Sequence, residues 1–167
     1  SSSPEGSTIG WGGNIADLIL NQNNNQTFTC ISVAGNTVFL AGDSTIAYNI
    51  STGGAIPING VKNSVYGSSA VQNVLSTLIQ QPHSNILANE YNKITSRSIS
   101  CESQITSALS GVSLTTSFDT TNSLANQLQM VAKLIAARNS LGNKRQVFFV
   151  SLGGFDLHDN LITQHAK

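Results

Sequence analysis

The run Gln146-Val147-Phe148-Phe149-Val150-Ser151-Leu152 is mostly apolar, does not alternate, and breaks at once into Gly153-Gly154. A strand with one wet face alternates apolar and polar residues, whereas a strand covered on both faces does not. The run therefore predicts a central strand of a parallel sheet with helices on each side. The segment before it agrees. Leu124, Leu128, Val131, Leu134 and Ile135 fall at helical spacing, Arg138 suits the helix C-terminus, and Gly142 can take the left-handed conformation that stops it. A helix feeding a covered strand is half of a βαβ unit, so the fold class read from the residues is α/β.

Two more helices are expected upstream. Val71, Val74, Leu75, Leu78 and Ile79 form one apolar stripe, with Ser68 or Ser69 as cap and Pro82 as stop. From about 84 to 109 a longer helix places Leu87, Tyr91, Ile94, Ser98, Cys101 and Ile105 on one face. A short helix around Ile15, Leu18 and Ile19 is expected near the start, with Asn14 as its cap. Between these lie residues 27–34, 37–41 and 45–50, β-branched or aromatic runs separated by Gly35-Asn36 and Gly42-Asp43-Ser44. That turn chemistry predicts a small β-meander or hairpin set. The expected organisation is a loop over 1–10, short β segments over 27–58, helices over 68–142, and a central strand with its exit loop over 145–159.

Composition narrows the function. Lys+Arg and Asp+Glu number 8 each and charged residues reach only 10% of the 167, against ~25% in an average soluble domain. With no basic cluster there is little for a phosphate backbone to hold, so nucleic-acid binding is not expected. No apolar run is long enough to span a bilayer. A polar, weakly charged surface rich in Asn, Ser, Thr and Gln is common in exported proteins. Cys30 and Cys101 permit one disulfide in an oxidising compartment. Because Cys101 shares the apolar face of its helix, packing as a buried free thiol is the favoured role. The start at Ser1-Ser2-Ser3-Pro4 suggests a processed or partial piece, the middle section of a larger α/β domain.

The residues after the covered strand are the candidate site. Ligands of open α/β sheets gather beyond the carboxyl ends of strands, where Gly153-Gly154-Phe155-Asp156-Leu157-His158-Asp159 stands. If the chain stays extended, Asp156 and His158 share a side and Leu157 turns inward. A carboxylate and an imidazole together make half a site for zinc or a similar divalent ion, which needs three or four ligands. His165 could approach only in particular geometries. The alternative is an ordinary strand-to-helix turn with Asp156 or Asp159 as N-cap. His83 reads as a solvated loop residue. Asp17, Asp43, Glu90, Glu102 and Asp119 show no paired spacing and read as solvated or capping groups. No nucleophile elbow, P-loop or zinc knuckle occurs.

The chain resembles an uncharacterised family of bacterial exported proteins in the alkaline-phosphatase and sulfatase-like superfamily. The residues that carry the resemblance are Leu134-Ile135-Ala136-Ala137-Arg138 and the run from Arg145 through Gly153-Gly154-Phe155-Asp156-Leu157-His158. Supporting them are Gly10-Trp11-Gly12-Gly13-Asn14-Ile15-Ala16-Asp17-Leu18 and Ser32-Val33-Ala34-Gly35-Asn36-Thr37-Val38-Phe39-Leu40. The resemblance implies part of an alkaline-phosphatase-like twisted sheet with flanking helices, the β-meander being an insertion. It also implies Asp156 and His158 as ligands of a divalent metal and hydrolysis of a small phosphate or sulfate ester. Leu157 stands where the family motif has Thr, which removes a hydroxyl that could support a ligand. Family members are longer and carry an early Gly-Gly-Asn-Asp segment and later Asp/His motifs. The remainder of the same polypeptide, or a processed partner chain, would then complete the site. A non-catalytic exported surface or assembly protein that keeps the fold is the rival expectation.

Overall fold

The computed structural model describes residues 8–156 together with Gly6, Asp159 and Ile162. Three short strands form one parallel sheet: β1 (Cys30–Ser32), β2 (Tyr48–Asn49) and β3 (Val147–Phe149), in the order β2-β1-β3. Four α-helices that lie wholly among the described residues accompany them: α1 (Trp11–Ile19), α2 (Ser69–Gln80), α3 (Ile86–Ser110) and α4 (Ser123–Ala136). The α/β class and the helices over 68–142 are as the sequence leads one to expect.

Register explains how the layers form. Ile31 lies between Tyr48 and Phe148 in the sheet. Alternate residues of a strand face opposite sides. Ile31 packs with Phe28, Ile105, Met130 and Leu134 under α3 and α4, while Cys30 packs with Ala16 and Leu40 under α1. The connection from β1 to β2 crosses on the α1 side, and the return to β3 crosses on the α3/α4 side. Opposite directions on opposite faces preserve one crossover hand.

Two expectations about strands are corrected. Residues 27–50 form no meander or hairpin, because β1 and β2 run parallel. Between them Val38–Leu40 is a 3₁₀ turn, begun by the Thr37 hydroxyl accepting from the Phe39 amide at 3.1 Å. A local side-chain acceptor competes with ladder formation there. The second correction concerns position. The central strand is β1, whose three residues are all buried, and β3 lies at the outside of the described sheet, half-buried throughout. The unbroken apolar run of β3 reports cover on both faces. Val147 and Phe149 pack toward α1, and Phe148 and Val150 toward α3 and α4. It does not report how many neighbours the strand has.

Helix α1 begins at Trp11, before the expected cap Asn14, with Gly10 as N-cap. Its buried face consists of Gly12, Gly13 and Ala16. A Cβ at Gly10 or Gly13 would fall under 3.0 Å from backbone atoms of the segment 38–42. The glycines thus let α1 lie directly on the crossover chain. The remaining caps follow the side chains: Ser68, Asn85 and Asn122 accept from Val71, Ala88 and Ala125 amides at 3.3, 3.1 and 3.1 Å. Gly142 is left-handed at φ 74°, but in the turn into β3, where its carbonyl accepts from the Asn24 amide at 2.9 Å.

Asp17 fixes the other end of the crossover. Its carboxylate accepts from the amides of Asp43, Ser44 and Thr45 at 2.7, 3.3 and 2.8 Å, and from the Thr45 hydroxyl at 2.6 Å. The Thr45 hydroxyl, aided by these three amides, holds the carboxyl below its ordinary value of 3.8. A lowered folded pKa means that the stabilisation is complete above the unfolded value and fades as pH falls through the folded one. The melting temperature of Asp17→Asn should therefore lie below that of the native chain at neutral pH, and the gap should close below pH 3.8. A gap independent of pH down to the end of the acid limb would show that the charge contributes nothing.

Candidate functional site

The order β2-β1-β3 has a reversal in it: the chain steps outward from β1 to β2, then returns past β1 to β3. Open α/β sheets leave a ligand crevice at the carboxyl ends of strands flanking such a reversal. Here the strand ends that flank the reversal are the exits of β1 and β3.

The β1 exit is tightly organised. The Ser32 side chain is fully buried, donates to the Gly35 carbonyl at 2.5 Å and accepts from the Ala34 amide at 3.3 Å. Gly35 supplies the left-handed turn at φ 83°, and Asn36 accepts from the Asn49 side chain at the end of β2 at 2.5 Å. The β3 exit is held from α4. Gln127, itself buried, donates to the Ser151 carbonyl and accepts from the Ser151 amide, both at 2.9 Å. This clamp mimics one rung of a sheet, so Ser151 anchors the strand exit through its backbone.

Beyond Ser151 the chain opens to solvent, and residues 152–156 are all exposed. Gly154 is left-handed at φ 90°, and nothing lies within 4 Å of a Cβ built at Gly153 or Gly154. The turn needs glycine for its backbone angle at 154; crowding does not demand it at either position. Asp156 is exposed on this loop, at the carboxyl side of β3, as the sequence places it. Asp159 is exposed as well. Leu157, His158 and His165 lie outside the described residues, and so does the expected pairing of Asp156 with His158. Among the described residues no three His, Cys, Asp or Glu side chains cluster as a metal would need. Asp156 fits as one oxygen donor of such a set.

Glu102, Asp119 and Glu90, like Asp17, have structural partners. Glu102, read as solvated or capping, is instead buried against Lys62 (2.6 Å) and the Thr106 hydroxyl (2.9 Å). The Lys62 ammonium, above all, holds its carboxyl below the ordinary range. Asp119 accepts from the Thr121 amide at 2.9 Å in a local turn, and Glu90 pairs with Lys93. His83 is exposed between α2 and α3, as expected. Cys30 and Cys101 are buried free thiols on opposite sides of β1, so they do not form a disulfide. Burial pushes Cys30 up to about 11, which leaves no reactive thiolate.

A cavity of about 460 Å³ opens along β2, with Thr27, Tyr48, Arg97 and Cys101 among its walls. None of residues 32–36 or 150–156 lines it. It lies apart from the exits of β1 and β3. No family model, curated protein or solved structure matches this chain.

Sequence reasoning missed Asn23 and Gln127, which are among the side chains that position β3. Both are buried amides. The signal for Gln127 was available in principle, since a polar residue stands between Leu124 and Val131 on an otherwise apolar helix face. Asn23 sits in the run Gln22-Asn23-Asn24-Asn25-Gln26, where nothing distinguishes one amide from its neighbours.

Proposed function

We propose that this chain is a section of an exported, metal-dependent hydrolase of phosphate or sulfate esters, with Asp156 and His158 contributing part of the metal site. The observation that supports this reading is the placement of Asp156. It is a carboxylate on an exposed, glycine-opened loop at the carboxyl end of a parallel strand, beside a strand-order reversal. The low charge and amide-rich composition support export. A divalent ion, zinc among the candidates, would polarise an ester oxygen and offset the charge that develops on transfer. The chain's own contribution is positional: Gln127 fixes where the loop leaves the sheet, and Gly154 turns it. Further ligands and the nucleophile belong to other residues of the polypeptide or to a processed partner chain.

Calorimetric titration of Zn²⁺ into the chain, beside Asp156→Asn and His158→Ala, tests the site directly. Each substitution should weaken binding at least ~10-fold. Zinc affinity unchanged in both variants would remove the site. Assay of the longer protein on aryl phosphate and aryl sulfate tests the reaction, and turnover that survives chelation would remove the metal mechanism.

The second reading is a non-catalytic exported surface or assembly protein retaining the fold. It is favoured by the large apolar side chains that α2 and α3 leave exposed. Zinc binding without turnover on either ester would support it.

A further inference from the structure

Helices α2 and α3 form an antiparallel hairpin whose apolar residues are only partly used. Leu75 and Ile79 of α2 are half-buried, as are Gln72 and Ser76, while Ala88, Asn89, Asn92, Thr95, Ser96 and Ile99 are the covered positions along the first half of α3. One residue before these contact positions stands a second set: Val71, Val74 and Leu78 on α2, and Leu87, Tyr91 and Ile94 on α3. These six are 48–81% exposed. Stepping back one residue rotates the view by ~100° around a helix. Because the two helices are antiparallel and face each other, the same backward step turns both to the same side of the hairpin. The two stripes therefore form one continuous apolar face. On α3 the stripe runs on into Cys101 and Ile105, which are buried against the sheet. Its first half is built like core and left uncovered among the described residues.

We propose that this face binds the same face of a second copy, giving a two-fold dimer in which two hairpins stack as four helices. Three observations select that occupant. The first is area: exposed side chains of this size present on the order of 100 Å² each, so six approach the ~800 Å² per partner of a stable interface. The second is charge. Helix α2 has no charged residue, and the charges beside the stripe on the first half of α3 are Glu90, paired with Lys93 at 2.5 Å, and Arg97. The six stripe residues carry no charge, so apposing them to their own copies sets no like charges against each other within the stripe, while a face without charge gives a heterologous partner little to select by. The third concerns membranes. With no Lys or Arg on α2, and on the first half of α3 only Arg97 beside a Lys93 already paired with Glu90, the hairpin has few of the cations with which an interfacial helix holds an anionic bilayer.

Sedimentation equilibrium of the full chain from about 1 to 100 µM should give twice the chain mass at the upper end. The double variant Val74→Lys/Tyr91→Lys should remain monomeric with unchanged far-UV circular dichroism. Should that variant fail to fold, Leu78→Ser, a single change at an exposed position, should still weaken dimerisation by about tenfold. A monomeric native chain at the highest concentration overturns the proposal, as does a dimer that either folded variant leaves intact. Flotation of a monomeric chain with phosphatidylcholine vesicles would overturn it in favour of a membrane.

Discussion

Replacing Gly13 with alanine is expected to destabilise the protein by about 3 kcal/mol, at the upper end of what overpacking costs. Helix propensity argues the other way, because alanine in a helix interior is favoured over glycine by roughly 1 kcal/mol. The clash wins because of what the new methyl meets. At Gly13 it would fall under 3.0 Å from the Ala41 carbonyl and the Gly42 amide nitrogen, which are backbone atoms with no rotamer to change. Gly12 provides the internal comparison. A methyl there meets the Phe39 ring at 2.5 Å, a side chain that can move, and the Phe39 carbonyl only at 2.9 Å, farther than the Ala41 carbonyl would stand from a methyl at Gly13, so Gly12→Ala should cost less. Urea denaturation of both variants measures the difference. If Gly13→Ala proves as stable as the native chain, α1 does not rest on the crossover in the way described.

Asn23→Ala should be of similar severity, again about 3 kcal/mol. The Asn23 side chain donates to the Thr29 hydroxyl at 2.9 Å and to the Arg145 carbonyl at 2.8 Å. It accepts from the amides of Lys144 and Arg145 at 2.8 and 3.0 Å. Each neutral hydrogen bond contributes roughly 1 kcal/mol, and donors left buried without a partner add ~1–3 kcal/mol. The exposed neighbour Asn24 bonds this turn through its backbone amide, so Asn24→Ala should fall within ~0.5 kcal/mol of the native chain. Equal stability of Asn23→Ala and Asn24→Ala in urea would mean that β3 is anchored without this amide.

How legible these features were depends on the kind of interaction. The helices were readable because apolar spacing and cap residues act locally: Ser68, the stripe of α2 and the length of α3 could be read from neighbours in sequence. The identity of the central strand could not, because Val147–Phe149 has helices on both faces and so carries the apolar pattern of a central strand while standing at the outside of the described sheet. The supposed hairpin failed for a related reason. Gly35-Asn36 and Gly42-Asp43-Ser44 are turn residues, and they do turn, but Asp17 and Thr37 direct the chain into a crossover. In the candidate site, the location of Asp156 at a strand exit was readable from Gly153-Gly154. The supports of that loop were not, since Gln127 and Ser151 meet only through the fold.

The pairing of Ile31 with Phe148 has a kinetic consequence. Asn23 and Arg145, which seal that junction, stand 122 positions apart in sequence. Contacts of such separation form late and slowly, because a long segment must be ordered before they reward it. During synthesis the helices of residues 69–136 will have emerged while β1 still lacks its neighbour on one side. A nascent chain halted before Val147 should therefore be protease-sensitive at residues 28–33, the segment that becomes the most deeply buried once synthesis passes that point.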